Sequence, residues 1–419
     1  MRIGMISQWY DPEEGSPAVA GAIARSLLAL GHEIHVLTGF PNYPTGRLYP
    51  GYRMRLYQYE NRSGVHVHRV PLVPSHDRSA LRRAGSYLSF AASASTRLRL
   101  LHRMEAWLVY STPATVALPA MLARARFGRP YVMLIQDLWP DTVTESGFLR
   151  QGRVLSATTR GLHAFCGASY RRASQVAVTS PGMADILIDR GVPAARVSVV
   201  PNWVDETVFR PVDRDKALAH RLGIDGFVVM YAGSLGDLQG LDTVVKAAAL
   251  LRDLSDVQFV FVGSGVAEPR LRAAAEGLDN VVFLGRQPVD RMTDMMAISD
   301  VQLISLKDLP LFHSTLPSKV QAALASGRVV LGSVPGDAGR LIDRSGAGVA
   351  VAPEDERALA DAVRRLHALE PRERVAMGNA GRQFYLDHFS ERVGSATLAD
   401  LLQRAVSRGT PSLPREFVT

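Results

Sequence analysis

The strongest constraint on the fold is an alternation of two kinds of segment that occurs in both halves of the chain. Short runs rich in β-branched residues alternate with amphipathic segments of helix length, which is typical of a parallel sheet covered by helices. In the first half we predict strands near residues 3–7, 34–38, 65–70, 107–110, 131–136, 175–179 and 197–200. In the second half we predict them near residues 227–232, 257–262, 281–284, 301–306, 329–332 and 349–351.

This double alternation predicts the α/β class, with two doubly wound, Rossmann-like domains. The segment 201–205 and the charged stretch after Pro211 indicate the connection between them. We therefore predict domains at residues 1–205 and 206–385, followed by a C-terminal helix and tail at 386–419 that returns toward the first domain. A helix is expected from about Pro371 to His388, because proline suits the first helical position. Ligands of such sheets bind beyond the carboxyl ends of the strands, so we expect the domains to face each other across a cleft.

Composition and charge narrow the class of protein and its partners. The 419 residues are 47% hydrophobic and 21% charged, which is typical of a soluble globular protein. The net charge of +8 favours anionic partners, but no nucleic-acid-binding motif accompanies it, so we expect no nucleic-acid partner. The lone Cys166 excludes an internal disulfide. We find no signal segment and no apolar run long enough to cross a bilayer, and we expect a cytoplasmic protein.

Loops of small residues follow three of the predicted strands. Gly15 and Ser16 precede a helix, where backbone N–H groups and the helix dipole favour anions. In the second half, two loops follow consecutive strands: Gly233-Ser234-Leu235-Gly236, which leads to Gln239, and Gly263-Ser264-Gly265. Main-chain donors in these loops could cradle a diphosphate, although ordinary strand–turn–helix connections explain the loops about equally well.

A sharper signal lies at the start of a predicted helix in the second half. Leu316, Pro317 and Ser318 lead into the helix, and Lys319 lies in its first turn. A lysine at that position opposes the helix dipole, and an anionic ligand at the same terminus would remove the conflict. The alternative is a solvated surface lysine.

Several motifs occur in order along nearly the whole chain, and together they are more specific than any one of them. They are Asp11-Pro12-Glu13, Gly31-His32-Glu33, Pro41-Asn42-Tyr43-Pro44-Thr45-Gly46, Asp137-Leu138-Trp139-Pro140, Pro201-Asn202, Gly236 with Gln239-Gly240-Leu241, Pro317-Ser318-Lys319 and Arg340-Leu341-Ile342. With these motifs the chain resembles glycosyltransferase family 4, whose members have the two-domain GT-B fold. It is most similar to the fucosamine and colanic-acid transferases of bacterial surface-polysaccharide assembly.

The resemblance implies an activity and a set of partners. It implies a nucleotide-diphosphate sugar donor held mainly by the second domain, retention of the anomeric configuration, and no cofactor or essential metal. We expect a UDP-sugar that carries an N-acetylhexosamine or a related sugar. The acceptor would be a glycan, a lipid-linked molecule or a small molecule, bound on the side of the first domain. Positive groups and helix termini would then stabilise the leaving diphosphate.

Several positions depart from the pattern of the family. An Arg and a Lys that flank the first loop of the second domain in most members correspond here to Ser234 and Gln239. A pair of glutamates corresponds to Ser314, which follows His313, and to Ala322. The second of these glutamates normally binds the ribose hydroxyls.

These departures shift the expected donor contacts to other groups. Stabilisation of the diphosphate would fall to Lys319, to backbone N–H groups, and to Arg286 with its neighbour Gln287. Gln321 is a candidate to replace the ribose-binding glutamate.

In the first domain, many members carry a histidine after the fifth strand, where this chain has Gln136 and Asp137. A carboxylate at the end of a strand can orient sugar hydroxyls or receive the acceptor's proton. We therefore take Asp137 as a catalytic candidate together with Lys319. The alternatives for Asp137 are a helix cap or an ion-pair partner, and Asp141 and Glu145 are nearby candidates. We expect a front-face substitution in which a phosphate oxygen could take the acceptor's proton.

The acceptor side is predicted from aromatic and basic segments. Asn42 and Tyr43 lie in a proline-rich loop that could contact a sugar, although a packed surface loop is an equal alternative. The arginine-rich stretch from Arg78 to Glu105 has an approximate apolar face, interrupted by serines, that could lie on an anionic membrane surface at the inner leaflet. The alternative is an ordinary helix with a basic outer face. The histidines at positions 35, 66 and 68 are interpreted as strand residues rather than as ligands.

Two other functions are compatible with these sequence features. A nucleotide-sugar 2-epimerase would share the architecture and the donor, and would need no acceptor. A non-catalytic partner that binds a nucleotide or scaffolds another transferase would explain the missing charged residues.

Overall fold

The computed structural model describes residues 1–13, 15, 18–75, 79–141 and 153–409. The chain divides into two compact units. The first unit holds Met1–Pro201 together with the residues from Ser395 onward, and the second unit holds Asn202–Gly394. Each unit is built on its own, mainly parallel sheet, so the predicted α/β class is confirmed.

The first unit contains, among its described residues, an eight-stranded sheet. Its strands are β1 (Arg2–Ile6), β2 (Glu33–Gly39), β3 (Gln58–Arg62), β4 (Val65–Val70), β5 (Ala106–Ser111), β6 (Tyr131–Ile135), β7 (Gln175–Val178) and β8 (Val197–Val199). Their order is β3-β4-β2-β1-β5-β6-β7-β8, and β3 alone runs antiparallel to its neighbour. The order turns back between β1 and β5, so ligands are expected beyond the carboxyl ends of these strands.

The seven strands predicted in this half are present, and β3 was not predicted. Its sequence contains a single apolar residue, Tyr59, and its side chains are alternately half-buried and exposed. An edge strand of this kind lacks the continuous apolar run that marks a strand buried on both faces.

Close contacts join the strands of this sheet to one another and to the helices of the first unit. A side chain at Gly4 on β1 would overlap the ring of Trp107 on β5. The indole N–H of Trp107 donates to the Leu101 carbonyl (3.1 Å), which ties β5 to a neighbouring helix. The helices are Ala18–Ala29, Ala80–Ser95, Leu98–Arg103, Ala117–Phe127, Arg153–Arg172 and Pro181–Asp189.

The second unit has a six-stranded sheet in which all neighbouring strands are parallel. Its strands are β9 (Phe227–Ala232), β10 (Val257–Val262), β11 (Val281–Gly285), β12 (Val301–Ser305), β13 (Val329–Ser333) and β14 (Gly348–Val351), and all six were predicted. Their order is β11-β10-β9-β12-β13-β14, which turns back between β9 and β12. The loops that follow these strands therefore lie where dinucleotide-binding folds hold their ligand.

The helices of the second unit precede, connect and follow these strands. They are Lys216–Arg221, Leu241–Ala249, Glu268–Ala274, Met292–Ala297, Pro310–His313, Ser318–Ala325, Gly336–Ser345, Glu356–Ala368 and Pro371–His388. The last has the predicted bounds, with Pro371 in its first turn and a capping box formed by Glu370 and Glu373. A final helix, Glu391–Gly409, begins in the second unit and contributes its later residues to the first. Within the described ranges, no helix is both long and apolar enough to span a bilayer.

Candidate active site

Two glycine loops at the carboxyl edge of the second-unit sheet pack backbone against backbone. They follow β9 and β10. The Gly233 N–H donates to the Val262 carbonyl (2.8 Å). A side chain at Gly263 would overlap the carbonyl of Gly233, and a side chain at Gly265 would overlap the backbone of Leu235. Gly263 also has a φ of 143°, which L-residues rarely adopt. Glycine is therefore required here by close contact between the loops.

We expect Gly263→Ala to lower the free energy of unfolding by about 3 kcal/mol, because overpacking and backbone strain each cost roughly 1–3 kcal/mol. Chemical denaturation of both variants measures the difference. The control is Gly277→Ala, where φ is also positive but no atom lies within 4 Å of an added Cβ. The control should lose only about 1 kcal/mol, the cost of the left-handed backbone. Equal losses in the two variants would contradict close packing of the loops.

The loop after β9 is held by its carbonyl groups and leaves backbone donors available. The Tyr231 hydroxyl donates to the Ser234 carbonyl (2.8 Å), and the Ser305 hydroxyl donates to the Gln239 carbonyl (2.7 Å). These bonds fix the loop by its carbonyl groups. Within the described part of the chain, the N–H groups of Ser234 and Gly236 donate to no acceptor. Such N–H groups are suited to bind an anion.

Lys319 lies in the first turn of the helix Ser318–Ala325, which has no side-chain cap at Pro317. Its Nζ lies 4.9 Å from the centroid of the Tyr231 ring. A side chain at Gly233 would overlap the end of the Lys319 side chain, so this glycine also makes room for the ammonium group. Among the described residues no carboxylate pairs with it, and burial lowers the pKa of Lys319 to about 8. The site therefore presents a partly desolvated cation that has no counter-charge in the described part of the chain.

The positions predicted to contact the ribose and sugar are partly buried. Gln321 is only 2% exposed, and its Oε1 has no hydrogen-bond partner in the part of the chain that the structure covers. Ser314 is buried as well. The preceding His313 is exposed, and its imidazole bonds to Asp308 (Nε2–Oδ1, 2.7 Å). A side chain at Gly336 would overlap the backbone of His313, so this segment packs on the start of the helix Gly336–Ser345.

The remaining predicted donor residues lie near the same edge or on nearby loops. Arg286 follows β11 and is exposed, and Gln287 donates to the Leu284 carbonyl (3.0 Å). Leu316 packs on a buried cluster of the second unit, whereas Ser318 is exposed. The structure thus places the half-buried Lys319 at this edge of the sheet and leaves the guanidinium of Arg286 on the surface.

Asp137 follows β6 in the first unit. It accepts a hydrogen bond from the Thr112 hydroxyl (3.0 Å), which follows β5. Burial raises the pKa of Asp137, and the bond from Thr112 partly opposes this shift. Among the described residues it has no ion-pair partner, whereas Asp141 pairs with Arg190. Glu145 lies outside the described residues. Asp137 is therefore suited to accept or hold a proton.

Glu13 has a structural role that its local sequence does not indicate. It is 2% exposed and accepts from three backbone N–H groups, those of Tyr10 (2.9 Å), Asn42 (2.6 Å) and Tyr43 (2.8 Å). Burial raises its pKa, against the effect of these three bonds. Glu13 therefore ties the loop after β1 to the loop after β2. The Asp11-Pro12-Glu13 motif was noted only as part of the resemblance, and nothing local indicates this longer-range contact.

The predicted acceptor loop is consequently more ordered than its sequence indicates. Asn42 is buried, and its side-chain Nδ2 donates to the Phe40 carbonyl (2.8 Å). Tyr43 stays half-buried at the edge. Of the predicted phosphate loop after β1, Gly15 is exposed with a φ of 77°, and Ser16 lies outside the described residues.

Four aromatic rings form a row beyond the carboxyl ends of the first-unit strands. Tyr43 lies 5.7 Å from Trp9, Trp9 lies 6.1 Å from Tyr87, and Tyr87 lies 5.9 Å from Trp139, measured between ring centroids. The Arg83 guanidinium donates to the Tyr87 hydroxyl (3.0 Å). The rings come from four separate segments, so their proximity could not be predicted from the sequence. We call these four residues the aromatic row.

Comparison with known proteins identifies the family. The model of the glycosyl transferase 4-like domain matches residues 14–203, and that of glycosyl transferases group 1 matches residues 226–368. The chain is 30% identical over 388 residues to the colanic acid biosynthesis glycosyl transferase WcaI of Escherichia coli K12, covering 89% of this chain and 94% of WcaI. The chain therefore belongs to the glycosyltransferase family that includes WcaI and combines these two domains.

Solved structures with a similar fold extend over nearly the whole glycosyltransferase. Sucrose-phosphate synthase from Thermosynechococcus elongatus has a TM-score of 0.70 at 18% identity, with 97% of this chain and 99% of that chain covered. HepE of Anabaena, in complex with UDP, has a TM-score of 0.68 at 14% identity, with 96% and 100% covered. At such identities the likeness concerns the fold, and it confirms the GT-B prediction.

Proposed function

We propose that this glycosyltransferase is a retaining, metal-independent enzyme that transfers an N-acetylhexosamine or a related sugar from a UDP-sugar. Its acceptor is a glycan or a lipid-linked molecule of surface-polysaccharide assembly. The name of WcaI, which refers to colanic acid biosynthesis, supports the assembly pathway, and the UDP complex of HepE supports the donor base.

The observation that carries this proposal is the environment of Lys319. Its ammonium group lies over the Tyr231 ring, beside a loop in which the N–H groups of Ser234 and Gly236 have no acceptor among the described residues. A nucleotide diphosphate would supply the missing negative charge. These groups would stabilise the charge that develops on the leaving diphosphate, which is the role a metal ion fills in other transferases. Ser234 and Gln239 are neutral, so Lys319 becomes the principal cation.

The proposed reaction is a front-face substitution. The bond between the anomeric carbon and the diphosphate oxygen breaks, and a bond to the acceptor oxygen forms on the same face of the sugar. The proton of the acceptor hydroxyl passes to the leaving phosphate oxygen. The ionised carboxylate of Asp137 accepts a hydrogen bond from the acceptor hydroxyl and orients it for attack, while the transferred proton goes to the phosphate oxygen.

The first unit supplies features that suit the proposed acceptor. Trp9, Tyr43 and Trp139 of the aromatic row are half-buried, whereas Tyr87 is buried, and the exposed parts of the three rings can contact a sugar ring or an isoprenoid chain. Leu81 and Leu88 on the helix Ala80–Ser95 are 85% and 60% exposed, and Leu56 is 81% exposed. The Arg97 guanidinium bonds to the Leu56 carbonyl and lies over the Tyr57 ring. Exposed leucines beside arginines suit an anionic membrane surface, which would bring the enzyme to a lipid-linked acceptor. Arg78 of the predicted basic stretch lies outside the described residues.

A thermal-shift screen against UDP, GDP and dTDP tests the donor assignment. We expect UDP to raise the melting temperature, because a ligand that binds only the folded state stabilises it by mass action. The UDP-induced change in melting temperature is measured twice, once with EDTA in both the UDP-free and the UDP-bound sample and once without EDTA in either. The two changes should be equal. A shift with GDP or dTDP alone would contradict the donor base. Loss of the UDP shift in EDTA would contradict metal independence, and no shift at all would favour a non-catalytic partner.

A further inference from the structure

A cluster of histidines at the amino end of the first-unit sheet has no part in the proposed transfer. Glu33 and His35 lie on β2, and His66 and His68 lie on the adjacent β4. His35 is directly paired with His66 across the two strands, and their rings stack with centroids 4.6 Å apart. One ligand atom from each of Glu33, His35 and His66 lies within 4.8 Å of the other two. The sequence alone predicts ordinary strand residues at these histidine positions.

We propose that Glu33, His35 and His66 bind a divalent transition-metal ion, of which Zn²⁺ is the best match. Two imidazoles and one carboxylate form a ligand set that zinc uses together with a water molecule. Glu33 is exposed, so water can reach the fourth position. Zn–N bonds of about 2.0–2.1 Å place the ligand atoms of a tetrahedral site roughly 3.3 Å apart. The ligand atoms of Glu33, His35 and His66 lie within 4.8 Å of one another, so any two of them would have to approach by no more than about 1.5 Å. The ion replaces the proton between His35 Nε2 and Glu33 Oε1, which are 2.8 Å apart.

A second set of hydrogen bonds holds the imidazoles in orientation. His35 Nδ1 bonds to His68 Nε2 (2.9 Å), and His68 Nδ1 bonds to the Tyr57 hydroxyl (2.7 Å). His66 Nδ1 bonds to the Tyr59 hydroxyl (2.8 Å), which leaves its Nε2 for the ion. Metal-binding histidines are commonly fixed in this way through their other ring nitrogen.

The position of the cluster indicates what the ion would do. Glu33 is the first residue of β2, and His66 is the second of β4, so the cluster lies at the amino ends of these strands. Asp137 lies at the other end of the sheet, where the carboxyl ends of the strands meet. Arg2 on β1 also donates to Glu33 Oε1 (3.0 Å) and holds the carboxylate in place. A bound ion would link β2 to β4 and stabilise the first unit, without a part in catalysis.

Zinc titration of the full chain, freed of any affinity tag and of metal, tests the site. Isothermal titration calorimetry should show one Zn²⁺ per chain, and Zn²⁺ should raise the melting temperature. Mg²⁺ should do neither, since it prefers oxygen ligands. His66→Ala should weaken Zn²⁺ binding at least about 100-fold, because loss of an outer-shell partner alone costs roughly 10–100-fold.

Two further variants keep the test decisive if His66→Ala folds poorly. Glu33→Gln preserves the shape of the side chain and should also weaken binding, and Tyr59→Phe should weaken it by about tenfold through loss of the bond to His66. The control, His163→Ala, removes an exposed histidine outside the cluster. Absence of Zn²⁺ binding by the wild type would overturn the proposal. Binding by His66→Ala and Glu33→Gln as tight as that of His163→Ala would overturn it too.

Discussion

Replacement of Lys319 by methionine should lower kcat by roughly 100- to 1000-fold, the range found when one preorganised charge-stabilising donor is removed from an active site. Methionine keeps an unbranched apolar chain beside Gly233 and over the Tyr231 ring, where the lysine lies now. The contact between the cation and the ring is worth about 0.5–2 kcal/mol, so the melting temperature should change by only a few degrees. Steady-state kinetics and thermal unfolding measure the two effects separately.

The pH dependence of UDP binding provides an independent check on Lys319. Burial lowers its pKa to about 8, so the side chain loses its charge as the pH rises through that value. A diphosphate binds the protonated form, so the Kd for UDP should rise above about pH 8 in the wild type and stay level in Lys319→Met. Lys246→Met, at an exposed position on the helix Leu241–Ala249, is the matched control and should behave as wild type. If Lys319→Met lowers the melting temperature so far that unfolding accounts for the loss of kcat, the catalytic role of Lys319 is refuted.

Asp137→Asn should lower kcat by about 100-fold, at the lower end of the 10²–10⁴-fold that positioned proton-transfer groups contribute. The amide preserves the shape of the side chain and the contact with Thr112. Because burial raises the pKa of Asp137, its ionised form is disfavoured in the folded state relative to the unfolded state. At pH values above the ordinary carboxyl pKa, the charge of Asp137 therefore lowers the free energy of unfolding. Because Asp137→Asn removes this charge, the melting temperature of the variant should be no lower than that of the wild type. UDP binding should be unchanged.

The control for Asp137 distinguishes it from its neighbour. Asp141→Asn removes the ion pair with Arg190, which is partly exposed, and should change kcat little. In the wild type, kcat/KM should rise with pH through a value above the normal carboxyl range, and this limb should be missing in Asp137→Asn. Retention of kcat within about threefold in Asp137→Asn would rule out the proposed role, since a group of this kind contributes far more.

Strand prediction succeeded where a strand is buried on both faces. The apolar runs of β5, β6 and β7 carry their position in their own residues, since every side chain faces a packed layer. It failed for β3, whose polar residues pair only at an edge. The same distinction applies to the candidate site. The glycines after β9 and β10 and the lysine in a first helical turn are local signals that a sequence can show.

The surroundings of those residues could not be predicted, because they depend on neighbours distant in sequence. That Lys319 lies over Tyr231, with no carboxylate partner among the described residues, follows from the position of the helix Ser318–Ala325 beside β9. That Glu13 binds the N–H groups of Asn42 and Tyr43 follows from the contact between the loops after β1 and β2.

The sequence by itself determined the two α/β units, nearly all of their strands, the glycine loops and the family resemblance. These properties depend on residue periodicity, backbone freedom and short motifs, which are local. Only the tertiary structure decided which polar groups are left without partners, which rings form the aromatic row, and that His35 and His66 meet across β2 and β4. The physical reason is strand order: a parallel sheet brings together segments separated by tens of residues, and burial, charge and hydrogen bonding act through space.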